Sequence, residues 1–152
     1  VVTPKKGRGK IKLRTILLML VSVAVLGTAI AFLYDASARK ELQALTIGTI
    51  DFARLEDGTY VGKFEGTKGS NRNVTVKVSI FGGQVTGITI LKGALDSTGN
   101  AAKLTGGKTV EGLFQTVLET KSLQVDAISG ATLTSKAHLK ALEDALQQAQ
   151  KK

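Results

Sequence analysis

The sequence predicts an α+β domain, an antiparallel twisted sheet with packed helices, preceded by one N-terminal transmembrane helix. Three observations predict it. Asn73 to Ile80 alternates apolar and polar side chains and runs into Gly82-Gly83. Two later segments repeat apolar residues at three- and four-residue steps. Ahead of both, Ile16 to Tyr34 is a run of nineteen uncharged residues. A period of two belongs to a strand with one buried face, and steps of three and four belong to an amphipathic helix.

In chain order, residues 1–15 form a basic tail with Lys5, Lys6, Arg8, Lys10, Lys12 and Arg14 and no acidic residue. Only Ser22, Gly27 and Thr28 dilute the aliphatic character of residues 16–34. As a helix that run is about 28 Å long, close to the roughly 30 Å of a hydrocarbon core. Beyond it Asp35, Arg39, Lys40 and Glu41 cancel in charge. The positive-inside bias therefore predicts a single-pass protein of the cell membrane, with its N-terminus cytoplasmic and its domain extracytoplasmic. The basic tract also suits anionic lipid head groups of the bilayer. Two rival readings stand beside this one. A basic arm can bind nucleic acid, and Ala36-Ser37-Ala38 resembles a signal-peptidase site. Against cleavage, the apolar run exceeds the roughly 7–15 residues of a signal-peptide core. Residues 35–56 read as a juxtamembrane helix or linker of low information.

The domain proper is expected over residues 57–150. Asp57 to Gly62 reads as its opening strand. In the next strand Val74, Val76, Val78 and Ile80 share one face, and Thr75, Lys77 and Ser79 the other. Gly82-Gly83 makes a two-residue hairpin turn, and Gln84 to Leu91 returns, with Gly87 suited to a bulge or a close backbone approach. Residues 94–108 are rich in Gly, Thr, Ser and Asn and read as a loop. Val110, Leu113, Phe114, Val117 and Leu118 mark one helical stripe. Leu123 and Val125 alternate with polar neighbours in a short strand-like run. From about Thr134 the positions Leu139, Leu142, Ala145, Leu146 and Ala149 mark a second helix.

Composition excludes several chemistries. The chain has no cysteine, so disulfides, iron–sulfur clusters and thiol catalysis are closed to it. Its one histidine, His138, cannot build a metal or haem site by itself and reads as a solvent-exposed helix residue. No metal site and no catalytic residue is expected, since no nucleophile elbow appears. The net charge of +9 misleads when taken whole. Six of 21 basic groups precede the span, leaving fifteen against twelve acidic groups, or +3, for residues 35–152. With five Phe, two Tyr and no Trp, this is no nucleic-acid footprint.

The segment Asp126-Ala127-Ile128-Ser129-Gly130-Ala131-Thr132, followed by Leu133-Thr134-Ser135, joins the strand-like run to the last helix. A helix start offers unpaired N–H groups and the positive end of a dipole, and so accepts an anion. Gly130 and Ala131 keep bulk away from the backbone. Ser, Thr and Asp at such a place are also ordinary caps, and one of Thr134 and Ser135 is expected to cap the helix.

These residues resemble the covalent flavinylation motif of the FMN-binding domain family, which includes flavin subunits of the Rnf complex and the sodium-pumping NADH:quinone oxidoreductase. Asp126, Ser129, Gly130, Ala131 and Thr132 match its acidic residue and its Ser/Thr-Gly-Ala-Thr run. Asp57-Gly58-Thr59-Tyr60-Val61-Gly62 looks like the family's opening Asp-Gly-x-Tyr-x-Gly strand. The likeness spans about residues 57–150. It departs at Leu95 to Asn100, where many relatives carry a pocket-lining Glu-x-Pro-Gly stretch. The resemblance implies that Thr132 bears FMN covalently through its phosphate, attached by a separate flavin transferase, with Leu133 and Thr134 beside it. Asp126 would help present the motif to that enzyme. It implies a membrane-anchored electron carrier, or a redox subunit of a respiratory complex, relaying electrons from a membrane donor to a downstream acceptor. The competing expectation is a non-redox accessory or ligand-binding membrane subunit with Thr132 unmodified. The small residues Gly27, Thr28, Ala29 and Ala31 would then serve helix packing.

Overall fold

The computed structural model describes residues 13–67 and 72–151, so Lys5, Lys6, Arg8, Lys10 and Lys12 of the basic tail lie outside the described residues. The chain divides into two compact units, one ending at Ala36 and one beginning at Ser37. Helix α1 (Leu13–Ala44) makes up the described part of the first and continues into the second. The apolar side chains of its residues 16–34 are bare, Leu18 at 69 % and Phe32 at 73 % exposure. It is the one helix, among the described residues, long and apolar enough to cross a membrane, with a mean hydropathy of 2.7 over its most apolar 18 residues. The two hydroxyls in the run turn back on their own helix: Ser22 donates to the Met19 carbonyl at 2.8 Å and Thr28 to that of Val25 at 2.9 Å. Neither is left without a hydrogen-bond partner.

The second unit is α+β. Strands β1 (Gly58–Phe64), β2 (Val74–Phe81) and β3 (Gln84–Lys92) form an antiparallel sheet in the order β1-β2-β3. Alternation in β2 buries Val74, Val76, Val78 and Ile80, as the period of two requires. Gly82 and Gly83 turn the chain at φ +61° and +72°, the two positive angles that a tight hairpin demands. Asp57 locks this turn by accepting both glycine amides, at 2.9 and 2.7 Å. The expected bulge is present. Ser79 pairs with Gly87 and Ile80 with Val85, so Thr86 is the extra residue. Gly87 has open space where a Cβ would sit, so no backbone approaches it closely.

Helix α2 (Val110–Thr120) begins at Thr109, whose hydroxyl accepts the Gly112 amide at 3.2 Å. It buries Val110, Leu113, Phe114 and Val117. Helix α3 (Thr132–Gln148) lies on β1 and β2 and buries Leu139, Leu142, Ala145 and Leu146. Each of those leucines contributes about 1.5–3 kcal/mol by leaving water. The contact is close. A Cβ at Gly62 would overlap the Ala141 carbonyl and the Ala145 backbone. Two α3 side chains also cover the edge of β1: Asp144 accepts the Lys63 amide at 2.8 Å, and Gln148 donates to the Val61 carbonyl at 3.0 Å. Those are groups an unpaired edge would otherwise offer to another strand.

Two expectations change here. Leu123 and Val125 do alternate in burial with exposed Gln124, yet the segment pairs with no strand. The pattern reported which side chains point inward, and a ladder needs a free sheet edge as well. Residues 35–56 carry more than expected, since Leu42 and Leu55 are fully buried in the core. Lys136 holds this segment by donating to the Gln43 and Leu45 carbonyls at 2.7 and 3.2 Å, which satisfies groups at the end of α1.

Candidate functional site

The motif folds as a turn followed at once by a helix. The Ala131 amide donates to the Ile128 carbonyl at 2.8 Å, closing a four-residue turn around Ser129 and Gly130. Gly130 has φ +74°, and a Cβ there would lie 2.9 Å from the Thr105 side chain. Glycine is required by both angle and space. Ser135, wholly buried, ties the turn to the helix. Its hydroxyl accepts the Ile128 amide and donates to the Ala131 carbonyl, both at 3.0 Å.

The helix therefore starts at Thr132, not Thr134. Ala131 occupies the cap position and no side chain caps the end. Neither Thr134 nor Ser135 is the expected cap, because Ser135 faces inward and is already engaged. Consequently the amides of Thr132, Leu133 and Thr134 have no hydrogen-bond partner among the described residues, and the exposed Thr132 hydroxyl has none either. Three such amides at the positive end of a seventeen-residue helix suit an anion.

They face a cleft of about 540 Å³ lined by Gly130, Ala131, Thr132, Leu133 and Thr134, with Gly93, Ala94, Ala102 and Leu104 from the loop after β3. Arg39 and Arg72 also line it, and no carboxylate does among the described residues. Its size falls within the roughly 300–1,000 Å³ of cofactor sites. Of the residues singled out in sequence, Gly130 to Thr134 come together here. Ser129 and Asp126 are exposed on the approach to the turn and do not line the cleft. A larger hollow of about 930 Å³ contains Asp51, Asp57, Gly82, Gly83, Lys121 and Lys151. Its central carboxylate, Asp57, is spent on the hairpin turn, whose amide hydrogen bonds hold it below the usual carboxylate range. That hollow contains none of the motif.

The sequence reading of His138 is overturned. It is 1 % exposed, and it lines the cleft. Its Nε2 accepts the Ala94 amide at 3.1 Å, so that nitrogen carries no proton. Its Nδ1 lies 2.7 Å from the Thr134 carbonyl and must be the donor. Burial pushes the imidazole below its ordinary value, and the Thr134 bond acts more weakly the other way. The Phe114 ring packs beside it, 6.4 Å between centroids. A signal for this burial did exist: His138 stands four residues before Leu142, on the same stripe. Arg39, Arg72 and the Gly93-Ala94 backbone were also missed, and no periodic pattern marks them.

The loop that carries Ala94 is itself ordered. Asp96 accepts the Thr98 and Asn100 amides at 2.8 and 3.0 Å and the Thr98 hydroxyl at 2.6 Å, bonds that lower its pKa. Ala102 returns its amide to the Ala94 carbonyl at 2.9 Å. So the Leu95 to Asn100 stretch builds a tight turn that brings Ala102 and Leu104 into the wall.

Residues 69–147, more than half of the 152, match a family model described as the FMN-binding domain. The matched span takes in β2, β3, α2, the Ser129-Gly130 turn and nearly all of α3. No curated protein and no solved structure matches the chain.

Proposed function

The chain belongs to the FMN-binding domain family, and from that membership we propose that it carries FMN covalently on Thr132 and relays electrons at a membrane. It is a flavin-binding protein with an N-terminal helix apolar enough to anchor it. The observation that carries the finer reading is the environment of Thr132. Its hydroxyl is exposed, unpaired among the described residues, and set at the uncapped start of α3 on the rim of a cofactor-sized cleft.

The residues fit the group. The amides of Thr132 to Thr134 would receive the phosphate oxygens, and the already engaged side chains of Arg39 and Arg72 line the same cleft. The loop residues Ala102 and Leu104 and the side chain of Leu133 supply apolar wall for a ring system. As a phosphodiester the tethered phosphate keeps one charge, which this helix end tolerates readily. Attachment would form the bond from Thr132 Oγ1 to phosphorus and break the pyrophosphate of FAD, with AMP leaving and the hydroxyl proton passing to a base of the separate flavin transferase. Ser129, exposed in the turn, and Asp126, exposed ahead of it, are available to that enzyme. The isoalloxazine supplies the one- and two-electron chemistry, and the protein supplies position and charge. The positive-inside bias of the basic tail supports an N-terminus in the cytoplasm and a flavin outside, where a covalent tether would prevent loss of cofactor. A membrane donor and a downstream acceptor, within a respiratory complex or as separate carriers, complete the relay.

Flavin fluorescence of the denatured protein band tests this, because only a covalent adduct survives denaturation. Co-expressed with a flavin transferase, the wild type and Thr134→Ala should fluoresce and Thr132→Ala should be dark. A dark wild-type band would leave the alternative, a non-redox accessory or ligand-binding membrane subunit with Thr132 unmodified.

A further inference from the structure

The family match leaves His138 without a role. A buried neutral histidine on a helix is often only packing, but this one bridges two walls of the cleft. On one side its Nδ1 bonds the Thr134 carbonyl, in the first turn of α3. On the other, its Nε2 accepts the amide of Ala94, where the loop leaves β3. Gly93, just before, has φ +138°, and a Cβ there would run into His138 Nε2. The backbone therefore lies directly against the imidazole, and only glycine allows it. From this anchor the loop runs through Ala102 and Leu104, which line the cleft, to Thr105, whose side chain touches the space above Gly130.

We propose that His138 is a positioning residue of the flavin cleft: as the Nδ1–H tautomer it holds the amide of Ala94, and through it the 93–104 wall, at a fixed place beside the turn that presents Thr132. This rests on the flavin reading above. The wall governs how much of the ring meets water and which backbone groups meet the ring, so His138 sets the flavin's environment without touching the reacting atoms. The imidazole suits this role because a single ring reaches both partners, one as donor and one as acceptor. Glutamine at 138 can still offer an oxygen to the Ala94 amide. Asparagine is too short for that, and leucine has no acceptor.

The test uses the full chain in detergent, as His138→Gln, His138→Asn, His138→Leu and Gly93→Ala. In flavin-free protein, hydrogen exchange at Ala94 should match wild type in the Gln variant. It should quicken at least about tenfold in the Asn and Leu variants, the loss expected for one buried hydrogen bond. Gly93→Ala should quicken it too, with the histidine still present. In flavin-loaded protein, the midpoint potential and visible spectrum should hold in the Gln variant and shift in the other three. A purely packing role predicts a different order, with Leu preserved best and potential unmoved in any folded variant. That order, or unchanged Ala94 exchange in His138→Asn, overturns the proposal. If the wild type takes up no flavin, the function falls by itself, and the exchange arm still decides whether His138 holds the wall.

Discussion

Two glycine turns in this domain are built from similar residues and finished in opposite ways. At Gly82-Gly83 every exposed amide of the turn has a partner, because Asp57 reaches across and accepts both. At Ser129-Gly130 the turn is closed and pinned from within by Ser135, yet it opens onto three helix amides and a hydroxyl with no partner among the described residues. Unsatisfied polar groups are costly to keep, so a helix start is normally capped. The first turn is finished by a side chain, and the second leaves open the amides on which the proposed flavin phosphate would sit. The lesson is that two turns of similar composition can differ in the fate of their amides, which only the structure reveals.

Breaking the second turn at its functional atom should have the largest effect. Thr132→Ala should remove all covalent flavin while the thermal midpoint of the flavin-free protein stays at the wild-type value, read by fluorescence and calorimetry. Ser135→Ala comes next. It leaves the buried Ile128 amide without its acceptor and should cost about 1–3 kcal/mol by denaturant unfolding, with flavin loading reduced as the turn loosens. Breaking the first turn should touch stability alone. Gly83→Ala forces a side chain to φ +72° and should cost about 1–2 kcal/mol with loading unchanged. Asp57→Asn should likewise lower the midpoint and spare the flavin. Loss of loading in either would erase the contrast between the turns.

The smallest effects are in pH dependence, and the two turns should differ there too. Asp57 has a pKa below its reference of 3.8 in the folded protein. Its contribution is complete above that reference and is lost as pH falls through the lowered folded value. His138 sits beside the second turn with a pKa below its reference of 6.5. As pH drops below 6.5, the unfolded chain takes up a proton that the folded one refuses, so stability declines there and levels off once the depressed folded value is passed. His138→Gln should flatten the decline between neutrality and mild acid, and Asp57→Asn should flatten only the more acidic limb. Chemical denaturation across that range measures both.

Periodicity made the scaffold legible. The alternation in β2, the glycines of the hairpin and the stripes of α2 and α3 all report burial, and burial is what the sheet and helices enforce. Periodicity failed where another factor ruled. Leu123 and Val125 had the alternation of a strand and pair with no strand among the described residues. Leu42 and Leu55 lie in a segment with no regular pattern, so their burial depends on docking that only tertiary structure reveals. His138 was read by its chemical class, as a polar residue to be exposed, although its place on the Leu142 stripe pointed inward. The helix start was misplaced by two residues because a cap was expected where the chain leaves the end open. At the site, Gly130 to Thr134 were legible from the motif. Arg39, Arg72 and Ala94 were not, since they reach the cleft from elements distant in sequence.

The most direct measurement is the intact mass of the full chain, made with a flavin transferase and compared with Thr132→Ala from the same cells. A wild type heavier by one FMN less one water, beside a variant at its bare polypeptide mass, is the predicted result. Equal mass increments on both proteins, or none on the wild type, would contradict it.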